Sequence, residues 1–122
     1  MVVLKIEVDE TPGGTTICRP VGELDAFTVS QFRQSLAELA NNRRLLIDMS
    51  AVPFVDSAGL GALIGGIRRA RELGGDVAVC CNRPTLVRLL RSTGFDRIVT
   101  VSETLEEAAA ALEDEPPEAT AN

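Results

Sequence analysis

The sequence predicts a single α/β domain with elements in the order ββαβαβαβα and a mixed, mainly parallel sheet packed against helices. Three observations carry this prediction. Two short apolar segments flank Thr11-Pro12-Gly13-Gly14, the signature of a hairpin. Three later apolar runs, residues 45–47, 77–81 and 98–101, alternate with segments of helical periodicity. Strands that alternate with helices imply right-handed crossovers and parallel pairing. The chain has 122 residues and is 45% hydrophobic, enough for one core.

Each element has its own signal. Residues 2–8 place Leu4, Ile6 and Val8 on one face of an edge or near-edge strand, and residues 15–21 return as its partner. Thr28 and Gln31 have capping-box spacing, and Phe27 and Phe32 have the spacing of a hydrophobic staple. A first helix then carries Val29, Phe32, Leu36 and Leu39 inward and ends at Asn41-Asn42. Leu45-Leu46-Ile47 is a continuous apolar run, as in a central strand covered on both faces. The second helix has its stripe at Leu60, Leu63, Ile64 and Ile67. Arg68, Arg69 and Arg71 lie near its C-terminal end, where cations complement the helix dipole, and Gly74-Gly75 closes it. Residues 77–81 form another buried strand. Asn82 is the expected cap of a third helix with Pro84 in its first turn, Leu86, Leu89 and Leu90 facing inward, and Gly94 at its end. A fifth strand is expected at residues 98–101, and Leu105, Ala109 and Leu112 mark a last helix. The domain is drawn at residues 1–114, and residues 115–122 read as a disordered acidic tail.

Composition excludes several functions. The chain has no His, which removes Ser–His–Asp and Cys–His catalysis and the commonest metal ligand. Cys18, Cys80 and Cys81 lack metal-binding or disulfide spacing and read as small core residues, so neither a metal site nor a cofactor is expected. Residues 103–122 hold seven acids and no base, while residues 1–102 hold 11 acids and 12 bases. No basic, aromatic surface for nucleic acid is implied. No segment approaches the ~20 apolar residues of a membrane span, and the first residues lack a secretory pattern. A cytoplasmic protein is expected.

The chemistry-bearing motif is Val55-Asp56-Ser57-Ala58-Gly59-Leu60-Gly61, which joins the central strand to the second helix. It sets a hydroxyl at or beside the first helical residue. Unpaired backbone N–H groups there carry partial positive charge and suit an added phosphate. Gly59-x-Gly61-x-x-x-Gly65 misses dinucleotide-binding spacing by one residue, and the P-loop lysine is absent. The motif also lacks the leading glycine of a hydrolase nucleophile elbow, so no enzyme is expected. Gly61 and Gly65 share one helical face. Glycine inside a helix costs about 1 kcal/mol relative to alanine, a cost that close approach of a partner or of the sheet would explain.

Residues 45–61 closely resemble the central motif of STAS domains, the sulfate-transporter and anti-sigma-factor-antagonist family. In phosphorylatable members the serine of the D-S-x-G-L turn is the regulatory phosphosite, here Ser57. The family often carries a second hydroxyl after that serine; Ala58 leaves Ser57 alone in the turn. Gly22-Glu23-Leu24-Asp25 resembles the family's G-x-L-D sequence, whose acid lies near the phosphosite and contributes to partner binding or kinase recognition. The resemblance spans roughly residues 15–112 and implies a single STAS-like domain. It implies an anti-sigma factor antagonist acting by partner switching. The unphosphorylated form binds an anti-sigma factor that is also a serine kinase and so frees the sigma factor. Phosphorylation of Ser57 abolishes binding, and a PP2C-type phosphatase reverses it. The expected partner-binding residues are Asp25, Asp56, Ser57, Ala58, Gly59, Gly61 and Gly65. The alternative is a STAS module in another assembly, a stressosome-like scaffold or a cytosolic subunit of a lipid transporter.

Overall fold

A computed structural model describes residues 4–113 of the chain. The tail read in residues 115–122 lies outside them. The elements are β1 (Lys5–Glu10), β2 (Thr16–Val21), α1 (Val29–Leu39), β3 (Arg44–Asp48), α2 (Ser57–Glu72), β4 (Asp76–Cys80), α3 (Pro84–Ser92), a 3-10 turn at Phe95–Arg97, β5 (Thr100–Ser102) and α4 (Leu105–Glu113). They form one five-stranded sheet in the order β1-β2-β3-β4-β5. The β1–β2 pair is antiparallel, and the other three pairs are parallel.

That sequential order decides where the helices go. Right-handed crossovers that all step in one direction place their helices on one face of the sheet. Accordingly Phe32 and Leu36 of α1, Leu63 and Ile67 of α2, and Leu86 and Leu90 of α3 share a core with Leu45, Ile47, Val77 and Val79 of β3 and β4. The opposite face is left for the end of the chain. There Ala108 and Leu112 of α4 cover Leu46, Ala78 and Cys80. The run Leu45-Leu46-Ile47 is apolar because successive residues feed different cores, and all three are fully buried. Cys18, Cys80 and Cys81 are buried free thiols, as their apolar setting implied. Burial pushes the Cys18 thiol up to about 11. Burial first, then the nearby Asp48 carboxylate, pushes Cys80 up to about 12.

Several local expectations are corrected. Phe27 is 91% exposed and forms no staple with the buried Phe32. Thr28 flanks the helix in an αR conformation and makes no side-chain cap bond. Its hydroxyl instead donates to the Glu23 carbonyl at 2.7 Å, while the Gln31 amide donates to the Leu4 carbonyl at 2.6 Å. Asp25 does the capping work: its Oδ1 accepts from the Phe27 and Thr28 amides at 2.9 and 3.2 Å. Arg83, not Asn82, precedes α3. Pro84 at the first helical position forces the residue before it into extended backbone, and a proline has no N–H to cap. Burial of Phe95 draws residues 95–97 into the 3-10 turn, so Ile98 is exposed and β5 starts only at Thr100. From Leu4, just before β1, burial fades through Ile6 to an exposed Val8. The α1 helix meets this strand near its start, at the Gln31–Leu4 bond.

Candidate functional site

The site is built where the β3–α2 and β2–α1 loops meet. The β3–α2 loop is held from below: the Met49 amide donates to the Cys80 carbonyl at 2.8 Å, and Met49 and Val52 are fully buried. Leu24 and Val55 form an isolated parallel bridge. The Leu24 amide donates to the Phe54 carbonyl at 2.9 Å, and the Asp56 amide donates to the Leu24 carbonyl at 3.0 Å. The Gly22 amide reaches the Ala51 carbonyl at 3.2 Å. The two loops thus behave as one body.

Asp56 completes the joint. It is the N-cap of α2 in extended conformation, and its Oδ1 accepts from the Gly59 amide at 2.9 Å. Its Oδ2 accepts from the Ala26 amide at 3.2 Å. One carboxylate therefore caps the helix and ties it to the neighbouring loop. Ser57 is the first residue of α2 and is exposed. The amides of Ser57 and Ala58 precede the first intrahelical bond, Leu60 N–H to the Asp56 carbonyl, and have no protein partner among the described residues. An accessible hydroxyl thus stands at a helix start with free N–H donors beside it. That arrangement can accept a phosphoryl group and hold its charge.

The other expected residues divide by direction. Asp25, half-buried, sits in the loop beside Asp56, and its carboxylate shapes the turn into α1. Ala58 is half-buried. Gly59 is buried, and a Cβ there would lie 2.5 Å from the Leu24 carbonyl oxygen. Its smallness serves the approach of loop to helix and offers no surface to a partner. Gly61 and Gly65 are exposed, and a Cβ at either would find nothing within 4 Å. They line a shallow groove of about 170 Å³ between α1 and α2, flanked by Arg33 and Arg69. The close approach of those helices depends on Gly66, where a Cβ would lie 2.5 Å from Leu36 Cδ1.

Three features were missed from sequence. Phe27 and Phe54 are exposed in the two joined loops, Phe54 by 50%; with only four Phe in the chain, two outside the helical and strand patterns were the available signal. Gly66 follows Gly65 directly, and spacing alone does not tell which of the two faces α1. Asp48 is 1% exposed, and its Oδ2 accepts from Arg19 Nε at 2.8 Å. Arg19 also approaches Glu7 at 3.8 Å. Pairing sets Glu7 opposite Arg19 and Asp48 opposite Cys80, which lies opposite Ser102. A polar row therefore runs across the sheet on the α4 face. Among the described residues no group of three His, Cys, Asp or Glu is placed to hold a metal. No helix among them is long and apolar enough to cross a membrane.

The STAS domain family model matches residues 5–108. The anti-sigma F factor antagonist of Paenibacillus polymyxa is 32% identical over 113 residues, spanning 90% of this chain and 96% of the relative. The anti-sigma-B factor antagonist of Listeria monocytogenes is 26% identical over 100 residues, spanning 80% of this chain and 88% of the relative. The crystal structure of an anti-sigma factor antagonist from Mycobacterium paratuberculosis superposes with a TM-score of 0.82 at 26% identity, covering 91% of this chain and 95% of that one.

Proposed function

The chain belongs to the STAS domain family, and on that premise we propose that it is an anti-sigma factor antagonist switched by phosphorylation of Ser57. The observation that carries this reading is the exposed Ser57 hydroxyl at the first position of α2, on a loop pair stitched together through Asp56. In the unphosphorylated state the joined loops and the outer face of α2 bind an anti-sigma factor with serine kinase activity, and the sigma factor is released. Asp25, Asp56, Ala58, Gly61 and Gly65 are the surroundings of that contact; Gly59 supports it from inside.

Phosphorylation is the off-switch by electrostatics. A phosphoserine carries about −1.5 to −2 charge at neutral pH. In the free protein the unpaired amides of the helix start stabilise it. In the complex it lies beside Asp56 and Asp25 and opposite the nucleotide phosphates that a kinase must hold to reach Ser57. Like charges in a partly dehydrated contact weaken it. A PP2C-type phosphatase restores the hydroxyl. The antagonist is substrate and ligand in this cycle, not catalyst.

Paired substitutions test the reading. Ser57→Ala keeps the turn small and neutral, so it should bind the anti-sigma factor, resist the kinase and leave the sigma factor free. Ser57→Asp places a fixed charge at the same point and should bind at least about tenfold more weakly, a difference of about 1.4 kcal/mol. Asp56 remains the N-cap in both, so both should melt close to wild type. Peptide mass spectrometry after incubation with kinase and ATP should find phosphate at Ser57. Phosphate elsewhere, or wild-type affinity in Ser57→Asp, overturns the proposal.

A further inference from the structure

Given the antagonist reading, we propose that Phe27 and Phe54 are a pair of aromatic anchors for the anti-sigma factor, received by apolar sockets with basic residues at their rim. The two other phenylalanines of the chain, Phe32 and Phe95, are fully buried, whereas Phe27 is 91% and Phe54 50% exposed. An aromatic ring left in water forgoes the burial that makes such residues dominate cores and interfaces. Nothing in the fold demands a ring at position 27. Its backbone amide is held by Asp25, and any side chain could follow.

The two rings belong to the loops that the Leu24–Val55 bridge joins, and the Phe54 carbonyl is itself bonded to the Leu24 amide. Their backbones are therefore fixed before binding, so little ordering is needed when a partner arrives. Exposed aromatics on a rigid base have the character of interface hot spots. Charge defines the partner further. Residues 22–31 carry Glu23 and Asp25 and no base; residues 49–67 carry Asp56 and no base. Within their own segments the two rings have acids alone beside them, while Arg83 is bonded to the Ser50 carbonyl at 3.1 Å and Arg33 and Arg69 stand at the α1–α2 groove. The acids beside the rings complement apolar sockets rimmed by Lys or Arg.

The experiment is a calorimetric titration of the full chain with each purified serine-kinase-type anti-sigma factor of the same organism, in the presence of ADP. Wild type should bind one of them. Phe27→Ala and Phe54→Ala should each weaken that binding at least about tenfold, the loss typical of a hot spot. Phe27→Ala should melt with wild type, because its ring is in water. Phe54→Ala is interpreted at a temperature where circular dichroism shows it folded. Val8→Ala removes a comparably exposed apolar side chain from β1 and should bind as wild type does. Raising salt should weaken wild type more than Glu23→Gln. Suppose both Phe variants bind within about twofold of wild type while Ser57→Asp loses binding. The anchors are then wrong and the antagonist reading stands. Wild-type affinity in Ser57→Asp as well, or no binding by wild type to any of these factors, removes both.

Discussion

Gly59, Gly61, Gly65 and Gly66 occupy a single helix, yet the same residue type does different work at each place. At Gly59 a methyl group would meet the backbone of Leu24, which the Asp56 and Phe54 bonds hold still. At Gly66 it would meet the Leu36 side chain, which has some freedom to turn. At Gly61 it would meet nothing. Gly59→Ala should therefore lower stability by about 1–3 kcal/mol, as overpacking does. Gly61→Ala should raise it by about 0.5–1 kcal/mol, because alanine favours the helix and no neighbour objects. Urea unfolding of the three alanine variants should order them Gly61, wild type, Gly66, Gly59 from most to least stable. Reversal of the first and last would show that α2 faces the other way. Glycine spacing brought Gly59, Gly61 and Gly65 to notice together, but direction is a three-dimensional property and spacing cannot supply it.

At the scale of elements, α4 alone among the described residues closes the second face of the sheet, and it is fastened at its end. The Glu113 carboxylate accepts from the Thr15 and Thr11 hydroxyls at 2.6 and 2.8 Å, clasping α4 to the β1–β2 turn. The Thr15 and Thr11 hydrogen bonds, aided by Arg44, hold its carboxyl below the ordinary value of 4.5. A lowered carboxyl value adds stability above the unfolded value that disappears as pH falls through the folded one. Wild type should accordingly melt higher than Glu113→Gln at neutral pH, and the gap should close below about pH 4.5. A gap independent of pH would mean that the clasp does not depend on ionisation. The clasp joins residues about a hundred apart, which is why no sequence window revealed it. The elements themselves were legible where period and punctuation agreed: the Thr11–Gly14 turn, the β3 run, and α2 with Asp56 before it and Gly74 after it. They were misread where a distant group overruled a local signal. The Gln31 amide was drawn to Leu4 and not back to Thr28, and burial of Phe95 displaced the start of β5. The place of Ser57 at an exposed helix start was legible because strand, acid, hydroxyl and small residues are contiguous. Its aromatic flanks were not, because Phe27 imitates a staple.

At the scale of the whole molecule, three thiols lie buried in or beside β2 and β4, within a sheet covered on both faces. Alkylation needs both access and a thiolate. Burial denies access and raises Cys18 and Cys80 to about 11 and 12. Iodoacetamide should thus label all three at the rate of global opening. Labelling should fall to background under native conditions and become complete in denaturant, as intact-mass spectrometry can record. Fast labelling of a single cysteine would reveal a local opening. The sequential strand order has a consequence of another kind. Open α/β sheets take their small-molecule ligands in the crevice where the strand order reverses and helices diverge to opposite faces. Here the order 1-2-3-4-5 never reverses, so the carboxyl edge has no switch-point crevice; the hollow of about 90 Å³ beside Cys81, Ser102 and Glu103 has another origin. The edge without a switch-point crevice is the edge that bears Ser57, so under the proposed function the signal is kept as a covalent mark on a protruding residue and erased by a second visitor.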